Sequence, residues 1–193
     1  MMPSMTIAIN WQVIRLGDLT PSPWRNGGGT TRELVAWPDG PAWQWRASVA
    51  EVAQTGPFST FTGVQRWFAV LQGDGVCLTV DGYMHMLSKS DEPLQFDGAA
   101  ATDCELLGGP TRDFNLMLQG SATARVQRVI KRCKTTIKTP KIIAAYAHKT
   151  RARVQIGTEI HTLLPHSFGW TAVPENTDVE VRASNALFLE IEV

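Results

Sequence analysis

The sequence predicts an all-β protein made of two β-barrel units in one chain. Three observations predict it. Short apolar runs recur about every 8–12 residues between glycine and proline punctuation. Several of these runs alternate apolar and polar positions, as a strand with one buried face does. Few segments are long enough for an amphipathic helix. The 193 residues are 44% hydrophobic and 19% charged, an ordinary globular balance, and a core of that size needs no disulfide or metal staple.

The elements follow in chain order. Leu19-Thr20-Pro21-Ser22-Pro23 reads as a loop, because its two prolines fix φ and remove donors. Residues 43–52, WQWRASVAEV, place Trp45, Ala47 and Val49 on one strand face and Arg46, Ser48 and Ala50 on the other. Residues 66–71 are apolar on both faces, as in a buried strand. Gly73-Asp74-Gly75 turns the chain into a strand over 76–80, and Asp81-Gly82 is a two-residue hairpin signal leading into 83–87. Strands over 104–107 and 114–118 complete a first series. After Gln119-Gly120-Ser121 the pattern restarts, with strands over 124–129, 153–156, 159–163, 179–183 and 187–193. The expected units are therefore residues 1–120 and 121–193, with sharing of C-terminal strands between the barrels left open.

Eighteen basic and eighteen acidic side chains cancel, which argues against a dedicated nucleic-acid binder. The balance conceals an asymmetry: no acid falls between Asn115 and Thr158, while ten lysines and arginines lie from Arg125 to Arg153. Such a stretch reads either as a surface for an acidic partner or as a solvated, lysine-protected face, and the second use is commoner. Cys77, Cys104 and Cys133 form no C-x-x-C and read as reduced thiols. The first ten residues lack a basic region followed by an apolar stretch, and no run approaches the ~18 apolar residues of a membrane span. A cytoplasmic protein without a membrane partner is expected.

The stretch from Trp24 to Leu34, WRNGGGTTREL, is the most unusual. Gly27, Gly28 and Gly29 permit positive φ, close backbone approach and amides aimed at an anion. Neither nucleotide-binding glycine motif is met. The run is either a tight crossover at a barrel mouth or a pocket rim, to which Asn26, Thr31, Arg32 and Glu33 contribute polar groups. Arg46 and Ser48 share a strand face, and Arg66 opens the next apolar strand. Arginines inside a barrel are costly unless paired, so they meet acids such as Glu33 and Glu51 or hold an anionic ligand. Asn115 faces opposite to Phe114 and Leu116 and is a candidate pocket amide. His85, His148, His161 and His166 form no H-x-H or H-E-x-x-H, so no metal or other cofactor is expected.

Four stretches together resemble the HutD/Ves family: Asn26 to Leu34 (NGGGTTREL), Trp45 to Ala50 (WRASVA), Gly56 to Arg66 (GPFSxFxGxxR) and Asp113 to Met117 (DFNLM). Their matched order over roughly residues 10–190 makes the resemblance specific. It implies a bicupin, two cupin-like barrels in a small bacterial protein. It also implies a link to histidine utilisation, through an acidic intermediate such as formylglutamate or urocanate, or to stress responses. The chain departs from the pattern at Gln65 and Ala99, where relatives tend to carry acids.

The leading expectation is a regulatory protein binding a small carboxylate in its first barrel. Asn26, Gly27, Gly28, Gly29, Thr31, Arg32 and Glu33 would form the rim, and Arg46, Ser48, Arg66 and Asn115 would hold the anion. A homodimer is compatible with this expectation. The alternative is a metal-independent enzyme with Glu33 as acid/base, ranked second because a carboxylate beside arginine is a weak base.

Overall fold

The computed structural model describes residues 9–193. The N-terminal residues before Ile9, on which part of the targeting expectation rests, lie outside the described residues. The strands in chain order are β1 (Gln12–Arg15), β2 (Ser22–Pro23), β3 (Gly29–Trp37), β4 (Trp45–Val52), β5 (Gly56–Pro57), β6 (Val64–Gln72), β7 (Val76–Val80), β8 (Tyr83–Leu87), β9 (Leu94–Asp97), β10 (Thr102–Leu106) and β11 (Thr111–Gln119). The series continues with β12 (Thr123–Thr136), β13 (Lys141–Ala147), β14 (Ala152–Ile156), β15 (Glu159–Leu163), β16 (Ser167–Val173) and β17 (Asp178–Glu192). One 3₁₀ turn, Leu16–Asp18, is the sole helical element among the described residues. No helix there is long and apolar enough to cross a membrane.

Two compact units result: Arg15–Arg128, and Val129–Glu192 with the described residues before Arg15. The turn at Gln119-Gly120-Ser121 connects β11 to β12, and the division falls a little further on, inside β12. The N-terminal unit has a six-stranded sheet, β2-β3-β4-β11-β6-β9, and a four-stranded sheet, β5-β10-β7-β8. Its core draws on both: Val52, Phe68, Val70 and Phe96 come from the first sheet, and Val76, Leu78 and Cys104 from the second. The C-terminal unit is a seven-stranded sheet in which β13 and β17 are central.

Local chemistry explains several elements. Asp81 and Gly82 both hold positive φ, 47° and 86°, as a type I′ turn requires, and Val80 pairs with Tyr83 across it. The alternation in β4 is real, but both of its faces are largely buried, because Trp45, Ala47 and Val49 pack on one side while Arg46 and Ser48 line a cavity on the other.

Strands not expected from sequence have physical reasons too. In β13, KIIAAYA, four of seven positions are alanine or lysine, poor strand formers, yet β16 and β17 flank it and bury all but Lys141. Gly169 stands inside β16, paired with Ala145, because the Trp11 ring occupies the place its Cβ would take. Residues 179–183 and 187–193, expected as separate strands, lie largely within one strand, β17. It pairs with β14 at one end and β13 at the other, bridging the polar Ser184-Asn185 that suggested a break.

Three cations of the basic stretch, Arg132, Lys134 and Lys141, meet acids of β17 within the C-terminal unit. Arg132 and Arg182 both reach Glu180, Lys134 is 3.9 Å from Asp178, and Lys141 contacts Glu190 and Glu192. Basic β12 and β13 thus lie against the acidic β17.

Candidate functional site

A cavity of about 440 Å³ opens in the N-terminal unit. That volume suits a small molecule. Four strands of the six-stranded sheet position its polar groups. Antiparallel register places Arg46, Met117 and Arg66 in one row across β4, β11 and β6, and Ser48, Asn115 and Phe68 in the next. Thr31 enters from β3 and is fixed by the Trp24 indole, whose Nε1 donates to Thr31 Oγ1 at 2.8 Å.

Asn26, Thr31, Arg46, Ser48, Arg66 and Asn115 all line the cavity. Gly27, Gly28, Gly29, Arg32 and Glu33 are not part of that lining, and each has another task. The glycines build the crossover. Gly27 has φ +72°, and Gly28 N donates to Asn26 Oδ1 at 3.0 Å. At Gly29 a Cβ would stand 2.3 Å from the Glu51 carbonyl oxygen, so only glycine lets β3 approach β4 there. Gly29→Ala is therefore expected to destabilise the fold by about 1–3 kcal/mol. Gly56→Ala, with open space at that position, should cost far less. Chemical denaturation of the two variants checks this.

Arg32 points away, donating to Leu19 O at 3.3 Å and pairing with Glu51 at 3.1 Å. Glu51 also takes Arg112 at 2.7 Å, and that hydrogen bond does most to hold its carboxyl below the ordinary range. Glu33 stands 2.6 Å from Arg46 Nε, with both side chains partly exposed.

Arg66 is different. It is only 5% exposed, and among the described residues no carboxylate pairs with it. One nitrogen donates to Asn115 Oδ1 at 3.0 Å, and Nε has no partner. The guanidinium carbon lies 5.3, 5.7 and 5.0 Å from the ring centres of Phe58, Phe61 and Phe96. Such contacts are worth about 0.5–2 kcal/mol each. Burial pushes the group down to about 10, so it remains a cation at neutral pH. The remaining donors of Arg66, with Ser48 and Asn115 beside them, can take a carboxylate.

Asp113 shares a strand face with Asn115 and is fully buried. Thr111 Oγ1 donates to its Oδ2 at 2.7 Å, while Oδ1 has no partner. Burial pushes this carboxyl up to about 7, against the lowering effect of Thr111. The Cys104 thiol is pushed up to about 12, by burial first and then by Asp113 and Cys77.

The aromatic walls and Asp113 were not among the residues assigned to the site from sequence. Phe58 and Phe61 follow Gly56-Pro57 in a segment whose glycine, proline and serine predict no core strand to bury two aromatics. That placement is the signal that could have found them. For Asp113 the signal is its even spacing from Asn115 within one apolar strand. Among the described residues no group of three or more histidine, cysteine, aspartate or glutamate side chains is placed to hold a metal ion.

A family model described as HutD matches residues 17–189. An uncharacterised 21.2 kDa protein in the hutC 3′ region of Pseudomonas putida is 43% identical over 110 residues, 55% of this chain and 57% of that protein. Protein Ves of Escherichia fergusonii is 34% identical over 116 residues, 58% of this chain and 60% of that one. The matches thus span less than two thirds of these curated relatives. Among solved structures, HutD from Pseudomonas fluorescens SBW25, in a formate condition, is 31% identical with a TM-score of 0.79, covering 94% of this chain and 97% of that one.

Proposed function

The chain belongs to the HutD family and has its bicupin fold, and on that premise we propose that its N-terminal barrel binds a small carboxylate whose occupancy tunes a catabolic response such as histidine utilisation. The observation that carries the reading is Arg66: a buried guanidinium at a cavity, held by an amide and three aromatic rings, with no carboxylate of its own among the described residues. Removing such a charge from water costs several kcal/mol, and an incoming anion offsets that cost. The regulatory side of the proposal draws on the position of the Pseudomonas putida relative beside hutC.

An enzyme using Glu33 as acid/base has less support, because that carboxylate is already engaged by Arg46 and is outside the cavity lining.

Thermal stabilisation by formate, acetate, glutamate and urocanate, each set against its neutral amide, tests the reading. An acid at 100 times its Kd stabilises by about 2.7 kcal/mol, a shift of several degrees. At least one acid should stabilise while its amide does not, and Asn115→Ala should weaken that acid about tenfold. Equal effects of acid and amide, or no effect of any acid, would defeat the carboxylate reading.

A further inference from the structure

The charge offered by the cavity depends on an acid outside its lining. Arg46 and Arg66 both reach the cavity, and both face Met117 across neighbouring strands. Strands lie about 4.8 Å apart, so the two arginine Cα atoms stand about 10 Å from each other, a span that a short dicarboxylate could bridge. The two cations are not equivalent. Arg66 has no carboxylate among the described residues, whereas Arg46 Nε is 2.6 Å from Glu33 Oε2, a charge pair close in distance but without hydrogen-bond alignment.

A β-bulge lies beside this pair. The register of β3 against β4 shifts between Glu33 and Val35, so that Glu33 faces Ser48 while Ala36 faces Arg46. One extra residue on β3 re-aims the side chains around it. Arg25 also touches the cavity, but it is exposed in the loop after β2, where water screens it.

The geometry points to Glu33 as the residue that sets the charge of the ligand: by holding Arg46 it leaves the cavity one uncompensated guanidinium, so the site takes monocarboxylates with an uncharged body and disfavours dicarboxylates. This inference rests on the carboxylate reading of the same cavity. A second carboxylate would have to displace Glu33 from Arg46 or lie beside it, like charge against like. The rest of the wall suits an uncharged body, because Phe58, Phe61, Phe68 and Met117 line it.

Calorimetry with pentanoate and glutarate, equal in carbon count, tests the inference. The wild-type protein should bind pentanoate at least tenfold more tightly than glutarate. Glu33→Gln should cut that preference at least tenfold or reverse it, because Arg46 is released. Glu33 is half-exposed, so the variant should fold. Glu33→Gln combined with Arg46→Gln should restore the preference for pentanoate, which a general loosening of the rim would not do. Glutarate binding the wild type as tightly as pentanoate, or an unchanged ratio in Glu33→Gln, overturns the role of Glu33 and leaves the carboxylate site standing. Failure of both acids to bind the wild type, with no effect in the wider acid panel, overturns the site itself.

Discussion

Replacing Arg66 by methionine and Asn115 by leucine together is expected to raise the thermal midpoint of the ligand-free protein while abolishing its stabilisation by carboxylates. The two effects have opposite signs and one origin. Arg66 is 5% exposed, makes one side-chain hydrogen bond, and leaves Nε without a partner. Replacing buried charged groups by apolar ones of similar volume often stabilises by about 1–4 kcal/mol. Methionine keeps the length of the stem and makes favourable contacts with rings such as Phe58, Phe61 and Phe96. The single variant is less informative, since Asn115 Oδ1 would lose its donor at a cost of about 1–3 kcal/mol. For a chain of this length 1 kcal/mol moves the midpoint about 2–4 °C, so calorimetry resolves the gain. A lowered midpoint with carboxylate stabilisation retained would make Arg66 a structural cation held by its aromatic cage.

That contrast shows how much of the site was legible in the sequence. The alternation of β4 placed Arg46 and Ser48 on one face, and the same rule turned Asn115 away from Phe114 and Leu116; all three line the cavity. The sequence named Glu33 and Glu51 as acids for the arginines to meet, but not which arginine each would take. Arg32 and Arg46 are each near acids in sequence-neutral ways, and only register assigns Glu51 to Arg32 and Arg112, Glu33 to Arg46, and none of them to Arg66. The glycine run carried two readings. The close approach of Gly29 to Glu51 O gives it a structural task that a composition argument cannot separate from a ligand-binding one.

The same limit governed the fold. Hairpins with a turn signature, such as Asp81-Gly82, were visible because two residues decide them. Strand β13 was not, since its alanines become strand residues only between β16 and β17. The basic run from Arg125 to Arg153 reads from sequence as a solvated face more readily than as a partner surface, and only the sheet shows that β17 brings Glu180 and Glu190 against Arg132 and Lys141. These are long-range facts, and a local pattern does not contain them.

Asp113→Asn is expected to stabilise the protein at pH 8 by up to about 4 kcal/mol and to change it little at pH 4. The folded carboxyl titrates at about 7, above its ordinary 3.8, because burial disfavours the charged form. Between those values the folded state holds a proton that the unfolded chain has released, so stability falls as pH rises. The contribution is complete below about pH 4, where both states are protonated, and is lost above about pH 7. The gap converts to about 4 kcal/mol at 1.36 kcal/mol per decade. Asparagine keeps the shape without the proton, so the difference between the two proteins should grow steadily across this window. Cys104, pushed up to about 12, stays neutral throughout and adds nothing to it. Urea denaturation of both proteins from pH 4 to pH 8 reads that difference directly. A constant difference would mean that Asp113 is ionised in the fold, and an anion two residues from Asn115 would then oppose the ligand that Arg66 attracts. A growing difference means that below about pH 6 the carboxyl is largely uncharged, which leaves the attraction of Arg66 uncancelled there, while near pH 7 about half of the molecules carry the charge. It further requires carboxylate binding to weaken above pH 7 in the wild type and to weaken less in Asp113→Asn, so one variant reports on both stability and the site.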